Sequence, residues 1–277
     1  MVMALNMEII CVGNELLIGK TLNTNAQWLS KRATVLGIAV KRVTVVPDEV
    51  EEIASAVREA LQRKTQFIIT TGGLGPTFDD KTLEGIAKAL NRKLEVNSKA
   101  LQMVKEKYEA YAREERIEKV ELTQARVKMA TIPEKTEPVP NPLGTAPGIR
   151  ADLDETILMA LPGVPSEMEA IFEETIAPLL KQASGGDIFH EKSIYADNIM
   201  ESTLAPLMDK VMRDNRGVYV KSHPRGEENK PHMEIHFSIK AKDTEKPEEK
   251  LQKAIVQLSS LIKKSNGKVF SDKRRGA

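Results

Sequence analysis

Along the first part of the chain, apolar runs of strand length take turns with segments whose apolar residues recur at helical spacing. The runs predict buried strands at residues 8–12, 39–46, 67–70, 149–152 and 156–161. The helical spacing predicts helices at residues 23–36, 80–90 and 166–181, and another that Asp48 caps with Glu51 three residues later. Gly37 can end the first helix in the left-handed conformation. This alternation predicts an α/β domain with a largely parallel sheet covered on both faces.

Two later stretches depart from the alternation. Residues 98–119 carry far more Lys, Arg and Glu than a core helix would, so we expect a helical segment that is a solvated excursion from the domain. Ser184-Gly185-Gly186 is typical of a linker. The predicted domains are therefore an α/β domain at residues 1–184 and a smaller one at residues 187–277.

The smaller domain is predicted to be an α+β unit, with a first strand, a helix at residues 201–214, strands at 218–221 and 233–240, and a helix at 247–264. In the last strand, polar residues alternate with Met233, Ile235, Phe237 and Ile239. We expect this apolar face to pack on helices and the other face to meet solvent or a partner. His232, Glu234 and His236 share the polar face and could bind a metal, although such a face is more often simply solvated.

Composition narrows the classes of function. The 41 Lys and Arg residues nearly balance the 40 Asp and Glu residues, so no basic field is available to hold a nucleic acid. No apolar stretch approaches the roughly 20 residues that cross a bilayer, and residues 1–6 lack the features of a signal peptide. Cys11 is the single cysteine and is predicted to be a buried strand residue. We expect a cytoplasmic protein that binds neither nucleic acid nor a membrane.

Four polar motifs each follow a predicted strand. They are Gly13-Asn14-Glu15, Pro47-Asp48, residues 72–80, and Pro162-Gly163-Val164-Pro165. In a parallel sheet the positions just after the strands share one edge, where ligands bind. The four motifs are therefore predicted to converge.

The third motif combines glycines with two adjacent carboxylates in the run Thr70-Thr71-Gly72-Gly73-Leu74-Gly75-Pro76-Thr77-Phe78-Asp79-Asp80-Lys81-Thr82. Glycines let backbone N–H groups approach an anion, and the helix that follows points its positive end at the same place, which suits phosphate. The alternative is a tight turn in which Asp79 or Asp80 merely caps the helix. Two carboxylates beside a phosphate would repel it unless a divalent cation lay between them, so the pair indicates a metal site.

This run resembles the signature loop of molybdopterin-binding-like domains, in the form found in competence-damage proteins. The first motif, Gly13-Asn14-Glu15-Leu16-Leu17-Ile18-Gly19 followed by Asn23-Thr24-Asn25-Ala26, is similar to the first motif of that family. The last two family motifs resemble Asn141-Pro142-Leu143-Gly144-Thr145-Ala146-Pro147-Gly148 and Leu161-Pro162-Gly163-Val164-Pro165-Ser166-Glu167-Met168. The resemblance covers residues 7 to about 181, and four motifs in the same order are very unlikely to match by chance.

The resemblance implies a three-layer α/β domain that commonly forms a homodimer. In the competence-damage branch it also implies hydrolysis of ADP-ribose or similar nucleotide pyrophosphates, dependent on a divalent metal (Mg²⁺, Mn²⁺ or Co²⁺) and assisted by potassium. Longer relatives add an amidase domain, which we do not expect here. The second domain resembles the small K-homology-like segment of the same branch, but it has no Gly-x-x-Gly clamp, so RNA binding is not inferred.

The resemblance also implies roles for individual residues. Asp48 and Asp80 fall on two acidic positions used in catalysis by cofactor-synthesis relatives, and Asp79, an additional acid in this branch, would hold metal together with Asp80. The implied substrate and phosphate site consists of Glu15, Asn23, Gly72, Gly73, Gly75, Pro76, Thr77, Asn141, Gly144, Thr145, Pro162 and Gly163. From the residues alone, Asp48 as a helix cap and Asn141-Pro142 as a plain turn remain open alternatives.

All four histidines lie in the predicted second domain, at positions 190, 223, 232 and 236. The first domain therefore has no imidazole for a Ser-His-Asp arrangement, which disfavours covalent serine chemistry. Carboxylate-bound metal that activates water is the machinery available for a phosphoanhydride. Our leading hypothesis is a metal-dependent pyrophosphatase acting on a nucleotide. The alternatives are adenylyl transfer to molybdopterin and a pterin-binding or nucleotide-binding module without catalysis.

Overall fold

The computed structural model describes residues 5–115, 121–185, 188–225 and 232–271, except for the side chain of Asp243. The chain separates into two compact units, Met1–Thr34 with Ile38–Ala183 and Ser184–Ala277 with the short segment Val35–Gly37. Gly186 of the predicted linker, and residues 116–119 at the end of the predicted charged helix, lie outside the described residues. Within the described part of the chain, no helix has the length and apolar character needed to cross a membrane.

The first unit contains eight described strands and eight described α-helices. The strands are β1 (Asn6–Val12), β2 (Ala39–Val46), β3 (Phe67–Thr71), β4 (Leu94–Val96), β5 (Thr131–Pro133), β6 (Glu137–Val139), β7 (Gly148–Leu153) and β8 (Thr156–Leu161). The helices are α1 (Asn14–Leu17), α2 (Thr24–Val35), α3 (Val50–Gln62), α4 (Thr82–Ala89), α5 (Ser98–Arg113), α6 (Gln124–Lys128), α7 (Pro165–Ile171) and α8 (Ala177–Ala183). A π-helical segment, Phe172–Ile176, joins α7 to α8.

Six strands form one sheet in the order β2-β1-β3-β8-β7-β6. The first four are mutually parallel, which confirms the largely parallel sheet. In contrast, β7 is antiparallel to β8, and β6 is antiparallel to β7. Only Asp154 and Glu155 separate β7 from β8, and a link this short permits a hairpin but no parallel crossover.

Helices cover both faces of the parallel strands. On one face Ile10 and Val12 of β1 share a buried core with Ile53 of α3 and Ile86 of α4. Because side chains alternate along a strand, the neighbouring Met7, Ile9 and Cys11 point to the opposite face, where they are also buried.

The opposite face carries α2 and the π-helical segment. The rings of Trp28 and Phe172, one from each element, meet edge to face with centroids 5.2 Å apart. These contacts complete a three-layer α/β domain. Cys11 is buried and free, and burial raises the pKa of its thiol, in agreement with its predicted place in a strand.

The charged helix α5 differs from the expectation. We predicted a solvated excursion, but Ala100 and Val104 are fully buried in the core of the first unit. The Asn97 side chain caps the helix by accepting from the N–H of Ala100. Two apolar side chains one turn apart are enough to pack a helix against the core when its other faces are charged. The prediction was wrong because it was based on the high charge content of the whole segment.

The second unit consists of β9 (Ile188–Asp197), α9 (Glu201–Asp214), β10 (Tyr219–Pro224), β11 (His232–Ala241), α10 (Pro247–Lys264) and β12 (Lys268–Phe270). Its strands form an antiparallel sheet in the order β10-β11-β9-β12. The predicted apolar face of β11 is confirmed, because Met233, Ile235, Phe237 and Ile239 are all buried. The strand β12 was not predicted.

On the polar face of β11, His232, Glu234 and His236 each lie beside an acidic or basic side chain. His232 Nδ1 lies 2.6 Å from Asp197 Oδ1, and His236 Nε2 lies 3.4 Å from Glu191 Oε2. Glu234 pairs with Arg225 at 2.7 Å. No group of three or more His, Cys, Asp or Glu side chains within the described ranges is placed to hold a metal ion. This face is a partly exposed polar surface.

Candidate functional site

A cleft of about 260 Å³ lies at the carboxyl ends of the parallel strands. We call it the carboxylate cleft, and its lining includes Gly13, Glu15, Asn23, Asn25, Asp48, Gly72, Gly73, Asp79, Asp80 and Gly163. Each of the four motifs that follow predicted strands contributes to this lining. The predicted convergence of the motifs is therefore found in the structure.

Asp48 has a different structural role from the one predicted. Helix α3 begins at Val50, with Glu49 at its N-cap position and no side-chain cap. Instead, Asp48 Oδ2 accepts a hydrogen bond of 2.8 Å from the N–H of Asn14. The predicted cap was wrong because the carboxylate turns away from its own helix. It joins the second motif to the first and lies in the wall of the cleft.

Gly72 allows close approach between the ends of neighbouring strands. Its φ is +105°, and a Cβ atom there would lie 2.2 Å from the carbonyl oxygen of Val12. Its N–H donates to Leu161 O at 3.1 Å. This N–H is therefore not available to the phosphate that residues 72–75 were predicted to cradle, and the glycine is required by packing.

The rest of the glycine loop has open donors. In the described part of the chain, the N–H groups of Gly73, Leu74 and Gly75 have no hydrogen-bond partner. Thr82 anchors the loop to the start of α4, because its N–H donates to Gly73 O at 3.1 Å and its Oγ1 donates to Gly72 O at 2.7 Å. An anchored loop with unpaired N–H groups suits an anion.

Asp79 and Asp80 lie in the loop and do not cap the helix, which begins at Thr82 after Lys81 without a side-chain cap. Asp80 Oδ2 lies 2.8 Å from the N–H of Thr77 and 2.6 Å from its Oγ1. Asp79 Oδ1 also contacts that hydroxyl. A hydroxyl carries a single proton, so it can donate to only one of the two carboxylates. The Thr77 hydrogen bond lowers the pKa of Asp79, which is therefore ionised at neutral pH.

Lys128 of α6 fixes this loop from outside the predicted motifs. Its ammonium donates to Asp80 O at 2.8 Å and to Thr77 O. Sequence reasoning missed it because the residue lies 48 positions beyond Asp80, on a short helix that the pattern did not predict. A positive charge here favours the ionised carboxylate of Asp79.

The carboxylate pair fits a metal ion that is shared with a substrate. No cluster of three or more metal-ligating side chains occurs among the residues that the structure describes, so a site built from protein alone is not present there. Mg²⁺ is commonly bound by one or two carboxylates, with substrate phosphates and water completing its octahedron. Asp79 and Asp80 meet around one hydroxyl beside open N–H groups, and this arrangement suits that mode.

Asn25 is a cleft residue that the sequence prediction missed. Its Nδ2 donates to Thr71 Oγ1 at 3.0 Å and to Gly163 O at 2.9 Å, while its Oδ1 is buried without a partner in the described part of the chain. A lone buried acceptor in a cleft wall suits a donor group on a ligand. Asn23, the predicted residue, caps α2 by accepting from the N–H of Ala26.

The structure does not bring Asn141, Gly144 and Thr145 into the carboxylate cleft. They line a separate depression, and Asn141 uses its side chain to hold its own turn. Its Nδ2 donates to Ala146 O and to Glu167 Oε2, and its Oδ1 accepts from two backbone N–H groups. This is the plain-turn alternative, strengthened by a carboxylate that sequence reasoning did not select.

Three predicted binding residues remain, namely Pro162, Pro76 and Glu15. Pro162 O accepts a hydrogen bond of 2.9 Å from Thr71 Oγ1, which ties the end of β8 to the end of β3. Pro76 is exposed in the glycine loop, before Thr77. Glu15 lines the cleft, and its carboxylate covers Gly13, where a Cβ atom would lie 2.5 Å from Glu15 Oε1.

Comparison with known proteins places this geometry in a family. A family model described as "Probable molybdopterin binding domain" matches residues 8–182. A protein of Caldivirga maquilingensis is 46% identical over 260 residues, which cover 93% of this chain and 97% of that protein. A protein of Saccharolobus solfataricus is 44% identical over 261 residues, which cover 94% of this chain and 93% of that protein.

A crystal structure described as the protein CinA with unknown function, from Thermoplasma acidophilum, is 41% identical to this chain. It aligns with a TM-score of 0.58 and covers 64% of this chain and 98% of that one. Apart from Asn6 and Met7 of β1, the parallel sheet, the glycine loop and the motifs of the cleft lie within the matched residues. The chain therefore belongs to the molybdopterin-binding domain family and is of the CinA type.

Proposed function

We propose that the carboxylate cleft hydrolyses the phosphoanhydride of a nucleotide such as ADP-ribose, with a divalent metal ion (Mg²⁺, Mn²⁺ or Co²⁺) as cofactor. The observation that carries this proposal is the presence, in one cleft, of three aspartates and a glycine loop. Asp48, Asp79 and Asp80 line the same depression as Gly73, whose N–H has no hydrogen-bond partner in the described part of the chain. Carboxylates that bind metal and N–H groups that bind phosphate are the two parts that phosphoanhydride hydrolysis needs.

The charge of the cleft supports a metal. With Glu15, its lining has four carboxylates, and it contains no Lys, Arg or His. A pyrophosphate that entered such a cleft alone would be repelled, and a divalent cation held by Asp79 and Asp80 removes that repulsion. When bound, the metal supplies positive charge to the phosphates and lowers the pKa of a coordinated water.

Residues of the cleft orient and deprotonate the attacking water and stabilise the charge on the phosphate. Asp48 is held by the N–H of Asn14 through Oδ2, and its second oxygen can orient the attacking water and accept its proton. The open N–H group of Gly73, which lines the cleft, stabilises the negative charge that develops on the phosphate. Water forms a new P–O bond while the bridging P–O bond breaks, so ADP-ribose yields AMP and ribose 5-phosphate.

The description of the family favours a second candidate, in which the cleft binds molybdopterin. In that case the chain would either transfer an adenylyl group to the pterin or bind it without turnover. Both functions use a phosphate site beside glycines, so the fold does not separate them from hydrolysis.

A substrate screen separates these functions. Purified full-length protein is incubated with ADP-ribose and other nucleotide pyrophosphates, with Mg²⁺, Mn²⁺ or Co²⁺ or with a chelator, and products are separated by chromatography. We expect AMP release that requires metal. ATP-dependent adenylylation of molybdopterin, or tight pterin binding without any product, would instead support the second candidate and contradict the hydrolase.

A further inference from the structure

The strand β4 (Leu94–Val96) has an open edge. It pairs with β5 in a two-stranded sheet, and no other strand of the described ranges lies beside it. In this ladder the N–H of Glu134 donates to Lys93 O at 2.8 Å, so these two residues form a hydrogen-bonded pair. Because such pairs alternate along an antiparallel ladder, the N–H and C=O groups of Leu94 and Val96 point away from β5.

The open edge combines unpaired backbone groups with exposed apolar side chains. In the described part of the chain, the N–H and C=O groups of Leu94 and Val96 have no hydrogen-bond partner. The side chains of these two residues share one face of the strand and are 36% and 51% exposed. Leu122 is 41% exposed and lines the same depression as Leu94, so it extends the apolar surface. An edge of this kind is a template for pairing with another chain.

The charges on either side of Leu94 indicate which chain pairs with this edge. Lys93 and Glu95 are exposed, and neither side chain has an ion-pair partner among the described residues. If two copies pair antiparallel with Leu94 opposite the partner's Leu94, then Lys93 lies opposite the partner's Glu95, and the two-fold axis repeats this pair. Moving the register by one pairing step would instead set Glu95 opposite the partner's Glu95, which is destabilising. The edge is therefore complementary to a second copy of itself in one register.

We propose that two copies of this chain associate through β4, with Leu94 opposite the partner's Leu94. The strands then form a four-stranded antiparallel sheet in the order β5-β4-β4-β5, which spans both copies. Each Leu94 exchanges two backbone hydrogen bonds with the partner's Leu94. Two pairs of Lys93 and Glu95 lie on one face of the sheet, and Leu94 and Val96 of both copies lie together on the other. Because the strand is short, the dimer is a weak one, with a Kd on the order of micromolar.

Disulfide crosslinking of the full-length protein tests the register of this pairing. Cys11 is the single cysteine and is buried, so native thiols give little background. Opposite residues of a hydrogen-bonded pair have Cα atoms about 5.5 Å apart, which suits a disulfide. Leu94→Cys is therefore expected to form a covalent dimer under mild oxidation. Val96→Cys is the matched control on the same face of the same strand, and it should crosslink at least about tenfold more slowly because the two Val96 positions are not opposite each other.

Charge reversal tests the same contact without a covalent bond. Self-association of the full-length protein is measured by sedimentation equilibrium at about 1–100 µM. Lys93→Glu and Glu95→Lys each set like charges opposite each other twice, and each is expected to weaken association at least about tenfold. The double variant restores opposite charges and should return the Kd to within about threefold of the wild type. Lys41→Glu, at an exposed position of the edge strand β2, is the matched control and should leave the Kd unchanged.

The two experiments together decide the inference. Weaker association in both single variants with recovery in the double variant supports it, because a second reversal would not rescue a variant that had merely unfolded. A wild type that stays monomeric over this concentration range, or a dimer whose Kd neither single variant changes, overturns the inference. Crosslinking of Val96→Cys as fast as that of Leu94→Cys also overturns it, because the strands would then pair in a different register.

Discussion

Replacing Gly72 with alanine tests whether this glycine serves the packing of the strand ends. The backbone at Gly72 has a φ of +105°, which costs an L-residue about 1–2 kcal/mol. The added Cβ would also lie 2.2 Å from Val12 O, and a backbone carbonyl in the central sheet can move only with its strand. Such overpacking costs a further 1–3 kcal/mol, roughly, so the expected loss in free energy of unfolding is about 2–5 kcal/mol.

Gly19 provides the matched control for this variant. It also has a positive φ, +71°, but a Cβ there would have no atom within 4 Å. Gly19→Ala therefore carries the conformational cost alone, about 1–2 kcal/mol. The difference between the two variants, about 1–3 kcal/mol, isolates the close contact with Val12.

The free energy of unfolding of both variants is measured by guanidinium titration. The signal is the fluorescence of the single tryptophan, Trp28, which packs on Phe172 in the first unit. We expect a lower midpoint for Gly72→Ala than for Gly19→Ala with the same dependence on denaturant, since equal slopes keep the comparison one of stability. Equal losses for the two variants, or a neutral Gly72→Ala, would refute the packing argument.

Three further predictions concern other parts of the chain. Burial raises the pKa of Glu8, but the hydrogen bonds from Arg63 and Thr65 and the charge of Arg63 outweigh it, so the folded-state pKa is lowered. Glu8→Gln should therefore cost about 1–3 kcal/mol in thermal or urea unfolding at neutral pH, and the deficit should shrink as the pH falls through the unfolded-state pKa into the acid range. In the second unit, Phe237→Ala should cost about 3–5 kcal/mol because it empties a buried site, whereas His236→Ala should change stability by less than about 1 kcal/mol in urea unfolding; equal effects would show that the faces are misassigned. A chain of residues 1–184 should be soluble and show cooperative unfolding, because each unit has its own core; insolubility without the second unit would count against two domains.

Periodic patterns predicted most of the fold. The helices at residues 201–214 and 247–264 and the strands at 39–46 and 156–161 have the predicted bounds, because each is long enough for its periodicity to show. The short strands β4, β5, β6 and β12 have three residues each and were missed. Three residues contain too little alternation to indicate a strand, and their pairing depends on partners distant in sequence.

The motifs of the cleft were predictable and their contacts were not. The rule for parallel strands brought together Glu15, Asp48, Asp80 and Gly163 from four separate parts of the chain. The hydrogen-bond partners of these residues could not be predicted from the neighbouring sequence. Asp48, for example, accepts from the N–H of Asn14 and does not cap its own helix. Lys128 was missed for the same reason, since its contacts with the glycine loop exist only in three dimensions.

The most direct test of the proposed metal-dependent hydrolysis is the rate of AMP release from ADP-ribose by Asp80→Asn at saturating metal. The amide keeps the oxygen that accepts from the N–H of Thr77, so the loop should keep its conformation, while the charge that holds a divalent ion is lost. Asp209→Asn, on the exposed surface of α9, is the matched control and should match the wild type. We predict a loss of several orders of magnitude for Asp80→Asn, which corresponds to several kcal/mol of transition-state stabilisation, roughly. Full metal-dependent hydrolysis by both Asp80→Asn and Asp79→Asn would contradict the account, because the metal would then lie elsewhere.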